Sequence, residues 1–423
     1  MKKTVIRILV GLIALLVLFI VGVVIVVQST WDSPEDRRIP AVQASNDPGA
    51  LERGEYLFKY GHGCWGCHSK VMDANSSPSG GRPFDLTSVG PGFGMFYAPN
   101  ITPDKETGIG GWTDGEIVRA IREGVGKDGR KLFPIMPVAA LKGLSDDDVL
   151  ALVSYLRSLE PVANKVPANE LSFAAKALFA FGVLKPEPEI TEPIVAPQRG
   201  VTAEWGKYVA TNAGLCYDCH TPRNLEDGSF YNDSLFAGGT IGFGGKIDGE
   251  AVEVYAANIT MDEETGIGSW TEGQFLTAAR YGVRADGRAI SPHMPFMAYA
   301  FWDEEDVRAI YAYLKTIPTF RRERYATVMS PSITEGSGVP RGKDIFSASC
   351  RACHGENGLG TAFTNVVLAE VSPTLTDDEL LAFVKEGNIG LRMPPFGKTY
   401  TDDQLKDVIS YIRTWEPSTT SSE

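Results

Sequence analysis

GCWGCHS, at residues 63–69, is the first of three stretches in this 423-residue chain that place two cysteines three apart with a histidine directly after the second. LCYDCHT at 215–221 and SCRACHG at 349–355 repeat the pattern. The chain has six cysteines, and all of them belong to these Cys-x-x-Cys-His motifs. The motif residues are Cys64, Cys67, His68, Cys216, Cys219, His220, Cys350, Cys353 and His354.

Cys-x-x-Cys-His is the attachment signature of c-type haem. Its two thiols add to the vinyl groups on one edge of the porphyrin, and the histidine becomes the proximal ligand of the iron. Three other interpretations fit less well. A redox-active pair needs a thioredoxin-like context, a zinc site would leave one of three pairs unmatched, and a disulfide at this spacing adds little stability. The motifs therefore predict three covalently bound haem c groups.

An uncharged, apolar stretch stands near the N-terminus. Residues 8–27 read ILVGLIALLVLFIVGVVIVV, and a helix of this length spans about 30 Å, the hydrocarbon thickness of a bilayer. A signal peptide has a shorter apolar region and a small-residue cleavage site, and the following QSTWDSPED offers no convincing one. We therefore expect residues 1–30 to form an uncleaved membrane anchor, with a cleaved signal as the alternative.

The charges around this stretch predict its orientation. Lys2, Lys3 and Arg7 precede it, so the positive-inside rule keeps the N-terminus in the cytoplasm and everything after Trp31 outside. Since haem c is attached after export, we expect a single-pass protein of the bacterial cytoplasmic membrane with its haem domains on the periplasmic side. The formal net charge of −13 argues against nucleic-acid binding, which needs a basic surface.

The chain contains a duplication. YAPNITPDKETGIG (97–110) and YAANITMDEETGIG (255–268) share eleven of fourteen residues at an offset of 158. The first two haem motifs repeat at an offset of 152, so a six-residue length change lies between motif and segment. The third unit is shorter and lacks the Tyr-Ala-x-Asn-Ile-Thr segment, but it keeps the order of haem motif, Met-Pro and terminal helix.

The repeat divides the chain into domains. We predict an anchor at 1–30, haem domains at 45–165, 199–325 and 336–417, and a linker at 166–198. The linker contains the apolar segment LSFAAKALFAFGVL (171–184), which we expect to be a packing helix between domains, with a position on the membrane as the alternative. A second joint at 321–340 ends in a Gly-, Ser- and Pro-rich stretch.

Helical patterns dominate each unit. Short amphipathic segments containing Gly54, Gly206 and Gly342 precede the haem motifs, and capping boxes predict helix starts at Thr113, Thr271, Thr376 and Thr401. The last helix carries an apolar stripe of Leu405, Val408, Ile409 and Ile412, with counterparts at 149–156 and 307–314. No strong strand pattern is present. Each unit is therefore predicted to be a small helical domain wrapped on a haem.

The distal ligand decides what a haem can do. Each unit offers a methionine before a proline, after the haem motif and before the closing helix: Met136, Met294 and Met393. Methionine is usually core filler, but three at equivalent places predict ligation of the iron. Met297 is a rival to Met294 because it follows three residues later.

Further residues allow more than one interpretation. We expect His62 to be a loop residue near the haem edge and His293 to support the loop of Met294, so that neither is a ligand. Asn100, Asn258, Trp112 and Trp270 repeat at the offset of 158 and either orient haem propionates or fix loops.

With these motifs, the chain resembles the membrane-bound triple-haem cytochrome c subunits of periplasmic alcohol, gluconate and related sugar dehydrogenases. The resemblance rests on YAPNITPDKETGIGGWTDGEIVRAIREGV, GRKLFPIMP, CHTPRN (219–224) and ANITMDEETGIGSWTEGQF, and it covers 45–325 well. The third unit resembles a generic class I cytochrome c. The resemblance implies an all-α chain of three tandem class I cytochrome c-type domains after an N-terminal transmembrane helix. It also implies the ligand pairs His68–Met136, His220–Met294 and His354–Met393.

Two classes of function follow from these observations. In the resembling family, a separate flavin or quinoprotein dehydrogenase subunit supplies electrons, which the cytochrome passes to membrane quinone or another carrier. We expect this chain to be such a relay, or to serve a respiratory complex, without catalytic residues of its own. The alternative is an enzyme such as a multihaem peroxidase, which needs one haem without a distal protein ligand.

Overall fold

A computed structural model describes residues 2–70, 75–87, 91–224, 228–240, 242–247, 250–291, 293–322, 337–355, 358–360, 366–388, 391, 393–397 and 399–415. Most of the second predicted joint, at 323–336, lies outside the described residues, as do the last residues of the third predicted domain, 416–417. The units named below are the predicted domains 45–165, 199–325 and 336–417.

The N-terminal segment is one long helix, α1 (Lys2–Thr30). Its side chains are mostly exposed, and its mean hydropathy reaches 3.4. Within the described residues it is the helix that is long and apolar enough to cross a membrane. A helix of this length measures about 43 Å, which exceeds the hydrocarbon core of a bilayer.

The first unit and the linker combine helices with a small antiparallel sheet. Their helices and strands are α2 (Pro48–Tyr56), the π-helical turn Leu57–Gly61, α3 (Cys64–His68), β1 (Pro83–Asp85), β2 (Gly94–Tyr97), α4 (Asp114–Glu123), α5 (Val138–Leu141), α6 (Asp146–Ser158), β3 (Glu170–Leu171) and α7 (Phe173–Ala180). The strand order is β1-β2-β3, so the linker adds the third strand of this sheet.

The second and third units follow the same order of helices. The second contains α8 (Ala203–Tyr208), the π-helical turn Val209–Ala213, α9 (Cys216–His220), β4 (Gly242–Ile247), β5 (Glu250–Tyr255), α10 (Glu272–Tyr281), α11 (Phe296–Tyr299) and α12 (Glu304–Leu314). The third contains α13 (Val339–Ile345), the π-helical turn Phe346–Cys350, α14 (Arg351–His354), α15 (Leu368–Val371), the 3-10 turn Ser372–Thr374, α16 (Asp377–Glu386) and α17 (Asp402–Ile412).

The first and last helices of each unit cross in direct backbone contact at a glycine. A Cβ atom on Gly54 of α2 would lie 2.0 Å from the carbonyl oxygen of Ala151 in α6. The corresponding distances are 1.8 Å from Gly206 to the carbonyl of Ala309 and 1.9 Å from Gly342 to that of Asp407. Any side chain at these glycines would force the two helices apart. This explains why a glycine recurs eight to ten residues before each first cysteine.

The predicted helix starts are confirmed. Capping boxes with both reciprocal hydrogen bonds open α4, α10, α16 and α17 at Thr113, Thr271, Thr376 and Thr401. The apolar stripe of α17 is buried, with Leu405, Val408 and Ile409 each 2% exposed. The small sheets among the described residues were not predicted; one of them consists of the antiparallel strands β4 and β5.

The first two units share one hydrophobic core. Gly61 and Ala213, equivalent positions at the offset of 152, contact each other, since a Cβ on Gly61 would lie 2.7 Å from the carbonyl oxygen of Ala213. Contact between equivalent positions marks a local two-fold axis. Around it, the ring of Tyr60 stacks on Phe301 at 4.8 Å, and the indole of Trp302 donates to the carbonyl of Tyr60 at 2.8 Å.

The third unit has a hydrophobic core of its own. This core contains Ile345, Phe346, Leu405 and Val408, and Ala289 of the second unit packs into it. The backbone N–H of Ala289 also donates to the hydroxyl of Thr399 at 3.0 Å. The second unit therefore lies between the first and the third.

Candidate haem attachment sites

The first two Cys-x-x-Cys-His motifs form the short helices α3 and α9 after a π-helical turn; in the third, Cys350 ends the π-helical turn and the rest of the motif forms α14. In the first two motifs a residue in the left-handed region separates the turn from the helix. These residues are Gly63 and Leu215, and both have φ of +58°. Since a leucine in this region costs of order 1–3 kcal/mol, packing in the rest of the site must hold the backbone before Cys216 in place.

The cysteine thiols lie in surroundings that disfavour the thiolate. Burial raises the pKa of five thiols to about 12, and it also raises the pKa of Cys67; the five are Cys64, Cys216, Cys219, Cys350 and Cys353. A redox-active pair needs a lowered thiol pKa. Among the described residues, no three His, Cys, Asp or Glu side chains group together as ligands of a metal ion.

The motif histidines of the first two units are oriented alike. Nδ1 of His68 lies 2.9 Å from the carbonyl oxygen of Pro99, and Nδ1 of His220 lies 2.7 Å from that of Ala257. Because a carbonyl can only accept, Nδ1 carries the proton in each ring and Nε2 keeps a free lone pair. Burial also lowers the pKa of both rings, which keeps them neutral. A hydrogen bond of this kind orients an imidazole that binds metal through Nε2.

The backbone holds the same histidines from the other side. The N–H of Gly80 donates to the carbonyl of His68 at 2.7 Å, and the N–H of Gly238 donates to that of His220 at 2.8 Å. The loops between these residues, 69–79 and 221–237, differ by the six residues that change the repeat offset. The insertion therefore lengthens the loop after the second motif and leaves the support of the histidine unchanged.

His354 of the third unit has fewer contacts. Its carbonyl accepts from the N–H of Gly360 at 2.9 Å, as the other two accept from Gly80 and Gly238. Its Nδ1 is buried without a hydrogen-bond partner among the residues that the structure describes. Burial lowers the pKa of this ring to about 4. The third unit lacks the segment that supplies the acceptor carbonyl in the other two.

Asn100 and Asn258 fix the loops that carry those acceptor carbonyls. Oδ1 of Asn100 accepts from the N–H and the hydroxyl of Thr102 at 2.9 and 2.7 Å, and its Nδ2 donates to the carbonyl of Val162 at 2.7 Å. Asn258 makes the same two contacts with Thr260. Both asparagines are buried. Their hydrogen bonds support the loop-fixing interpretation over contact with haem propionates.

Met136 and Met294 lie in identical backbone settings. Each donates its N–H to the carbonyl three residues earlier, at 3.4 and 3.0 Å, and each accepts at 2.8 Å from the N–H two residues later. Both side chains are half-buried against the shared core, as are Cys64 and Cys216. Met297 lies buried in α11, and the residue at its repeat position is Ala139. The repeat therefore favours Met294 over Met297 as a ligand.

Met393 differs in its backbone setting. It forms an antiparallel bridge with Asn388, with N–O distances of 2.8 and 2.9 Å. The corresponding bridge of the first unit joins Val125 to Lys131, five residues ahead of Met136. Along the sequence, Met393 thus follows its preceding helix more closely than Met136 and Met294 follow theirs.

The two histidines outside the motifs make hydrogen bonds of their own. His62 is a contact between units, because its Nε2 lies 2.9 Å from the carbonyl oxygen of Asn212. Burial lowers its pKa to about 4. His293 supports its loop as predicted, with Nδ1 at 2.9 Å from the hydroxyl of Ser291. Sequence patterns do not indicate the His62 contact, because its partner is 150 residues away and supplies only a backbone carbonyl.

The residues at these motifs fit a covalently attached haem. Each motif carries two neutral thiols, and in two units the adjacent imidazole is fixed with Nε2 free. The residues that would hold the group are the nine motif residues, and Met136, Met294 and Met393 stay predicted ligands.

Comparison with known proteins supports this assignment. A family model described as cytochrome c matches residues 51–160. A second, described as cytochrome c oxidase, cbb3-type, subunit III, matches residues 338–412. The gluconate 2-dehydrogenase cytochrome c subunit of Pantoea cypripedii is 29% identical over 86% of this chain and 85% of that protein.

For two further relatives, the share of the relative's length that matches this chain is very different. A diheme cytochrome c-type protein of Cereibacter sphaeroides is 30% identical over 64% of this chain and 86% of that protein. A nicotinate dehydrogenase subunit of Pseudomonas putida is 30% identical over 86% of this chain. The match covers 30% of that protein, so most of its length has no counterpart here.

Proposed function

The chain belongs to the c-type cytochromes, and from this premise we propose that it is the electron-relaying cytochrome subunit of a periplasmic dehydrogenase. The observation that carries the proposal is the matched pair His68 and His220, whose Nδ1 atoms bond the carbonyls of Pro99 and Ala257 while Nε2 stays free. The relative named as a gluconate 2-dehydrogenase cytochrome c subunit, matched over most of both lengths, supports the class of partner.

The chain's own residues hold and shield the cofactor. Haem c, when bound, supplies one-electron oxidation and reduction of iron. The paired cysteines attach it, and the motif histidines His68, His220 and His354 are the proximal ligands. Met136, Met294 and Met393 are the distal ligands. A methionine opposite a histidine raises the potential and closes the iron to small molecules, which suits a relay.

We assign three haems and three tandem class I cytochrome c-type domains, at 45–165, 199–325 and 336–417. Three complete motifs support this number, and so does the helix crossing at a glycine that each unit repeats. The third unit keeps the motif, the Gly360 contact and the closing helix, although it lacks the acceptor segment.

We assign residues 8–27 of α1 as a single membrane span that leaves the haem domains on the periplasmic side. The length, composition and exposure of α1 support a span, and Lys2, Lys3 and Arg7 favour a cytoplasmic N-terminus. This position suits a relay between a flavin- or quinone-cofactor dehydrogenase subunit, or a respiratory complex, and membrane quinone or another carrier. The relatives, named as cytochrome subunits, favour this role over the alternative of a multihaem peroxidase.

Purification from the native membrane tests the proposal. We expect a dehydrogenase subunit to co-purify with the cytochrome and to reduce its haems when substrate is added. Removal of the cytochrome should abolish electron flow to the membrane while the dehydrogenase still reduces a soluble dye. A purified wild-type chain that reduces peroxide rapidly without a partner would place it in the enzyme class instead.

A further inference from the structure

The linker helix α7 packs beside the outer end of α1. The two helices contact each other, and Val27 of α1 is fully buried while Val24 and Val26 remain 40% and 45% exposed. The ammonium of Lys176 in α7 lies 5.1 Å from the ring centroid of Trp31, directly after α1. These contacts hold α7 against the last turns of α1.

The length of the apolar stretch sets the depth of this contact. Residues 8–27 form about 30 Å of helix, which equals the hydrocarbon thickness of a bilayer. If these residues span the membrane, as proposed above, Val27 stands at the outer boundary of the hydrocarbon. Trp31 and Lys176 then lie among the headgroups, where tryptophan is enriched and a lysine can extend its apolar stem. Helix α7 lies at the same level.

The segment around α7 carries apolar side chains on two sides. Ala175 and Phe179 are buried, and the ring of Phe179 packs against Phe133 of the first unit. Phe173 and Phe181 are 45% and 59% exposed, and Val183 just after the helix is 46% exposed. Lys176 is the one charged residue in LSFAAKALFAFGVL. We call Phe173, Phe181 and Val183 the outer face of α7; Phe173 begins the helix, and the other two follow its last residue. Exposed apolar side chains that recur in one short segment mark a contact surface.

The first unit cannot turn this face away easily. The chain after α1 is bound to the unit, because the N–H of Glu35 donates to the carbonyl of Gly129 at 2.8 Å. The N–H of Ala44 donates to the carboxylate of Asp114 at 2.7 Å. The connection between anchor and unit is therefore short and fixed, which sets the orientation of α7 relative to α1.

We propose that the outer face of α7 enters the headgroup region of the bilayer that α1 spans, as a second, peripheral membrane contact of the first unit. This inference rests on the proposed anchor. The occupant is the outer leaflet itself, since α7 contacts the emerging end of α1 and Lys176, the one charged residue of the segment, lies over the ring of Trp31. An amphipathic segment at this depth gains from burial of its apolar side chains.

Nitroxide labelling of the full haem-loaded chain tests the proposal. The native cysteines are taken up by haem, so Phe181→Cys introduces one reactive thiol. The label is read in the reduced protein, in phosphatidylcholine–phosphatidylglycerol vesicles, as the ratio of collisions with oxygen to collisions with a polar nickel complex. Leu16→Cys in α1 is the reference for lipid, and Leu391→Cys, 66% exposed in the third unit, is the reference for water.

We expect the oxygen-to-nickel ratio at Phe181→Cys to be several-fold above that at Leu391→Cys and below that at Leu16→Cys, because Leu16 lies near the middle of the bilayer and the headgroup region is shallower. If the ratio at Phe181→Cys equals that at Leu391→Cys while the ratio at Leu16→Cys is several-fold higher, the surface contact is wrong and the anchor stands. If the ratio at Leu16→Cys equals that at Leu391→Cys, the anchor is wrong, and so is the surface contact that rests on it. Unchanged haem spectra check that each variant is folded.

Discussion

The phenol of Tyr208 donates a hydrogen bond to Oδ2 of Asp148 at 2.6 Å, and this contact ties the second haem unit to the first. The pair recurs in reciprocal form, since the phenol of Tyr56 donates to Oδ2 of Asp306 at 3.1 Å. Each tyrosine and each aspartate occupies the repeat position of its counterpart. The duplicated units therefore associate as the two halves of a symmetric dimer do.

We expect Tyr208→Phe to lower the free energy of unfolding by about 1.5–3 kcal/mol, because it removes a hydrogen bond to a buried carboxylate. Asp148 keeps two hydrogen bonds from Arg53, both at 2.7 Å, so the charge does not become unpaired. Denaturant unfolding followed by circular dichroism measures the change. Tyr231→Phe, at an exposed tyrosine, is the control and should stay within about 0.5 kcal/mol of wild type. Equal effects at both positions would contradict the interface assignment.

The same tyrosines predict a loss of stability at alkaline pH. Burial, and then the facing carboxylate, raises the pKa of Tyr56 and of Tyr208 well above the ordinary value. A pKa raised on folding stabilises below the unfolded value of about 10, and this contribution is lost as the pH rises toward the folded value. We expect melting temperatures to fall above about pH 10, and less steeply in the double variant Tyr56→Phe/Tyr208→Phe. Parallel profiles of variant and wild type would count against this origin.

The glycine crossings predict a third set of effects. Gly54→Ala, Gly206→Ala and Gly342→Ala should each destabilise their unit by more than about 2 kcal/mol, since the added methyl overlaps a backbone carbonyl of the closing helix. Gly273→Ala in α10 is the matched control, because nothing lies within 4 Å of its added Cβ. This control should be neutral or stabilising by about 0.5–1 kcal/mol. Unfolding midpoints of the four variants make the comparison.

The sequence predicts the local features of this chain better than its long-range contacts. Capping boxes and the apolar stripe of α17 were predicted correctly because their partners lie three or four residues apart. The π-helical turns, the small sheets and the pairing of the first two units were not predicted. The contact of Gly61 with Ala213 depends on a distant carbonyl, which leaves no side-chain pattern in the sequence.

In the candidate haem sites, too, the local residues were predicted and the long-range contacts were not. The motif cysteines and histidines are evident from spacing alone, whereas the Nδ1 acceptors are backbone carbonyls of Pro99 and Ala257. Their positions were signalled only indirectly, by the repeated Tyr-Ala-x-Asn-Ile-Thr segment around them. For the linker segment 171–184, the predicted helix is confirmed as α7, but its described packing is on the first unit and α1.

We predict three covalent haems per chain. Protein denatured in acid should keep its colour, and its mass should exceed that of the polypeptide by three haem groups, because thioether bonds survive unfolding. Replacing both cysteines of one motif, for example Cys350→Ala/Cys353→Ala, should remove one haem mass and leave the other two. Intact-mass spectrometry measures both. A wild-type mass excess of two haems or fewer contradicts the prediction.

Replacing a distal methionine should open one iron and break the relay. We expect Met136→Ala or Met294→Ala to convert one ferric haem to high spin, to let its ferrous form bind carbon monoxide, and to lower its potential, since a methionine ligand favours the ferrous state. Met393→Ala should do the same in the third unit. Electron flow from the partner dehydrogenase should fall, while dye reduction by that dehydrogenase is retained. Optical spectra with and without carbon monoxide follow the change.

Met297→Ala is the matched control for Met294→Ala. Met297 is buried in α11 three residues beyond Met294, and the repeat gives it no methionine counterpart. Its loss should therefore cost stability, about 2–5 kcal/mol for a large-to-small change in a core, without opening an iron. If Met297→Ala binds carbon monoxide and Met294→Ala does not, the ligand of the second unit is Met297. If wild type already shows a high-spin haem that binds carbon monoxide, the unit that carries it has no methionine ligand, and the relay assignment fails there.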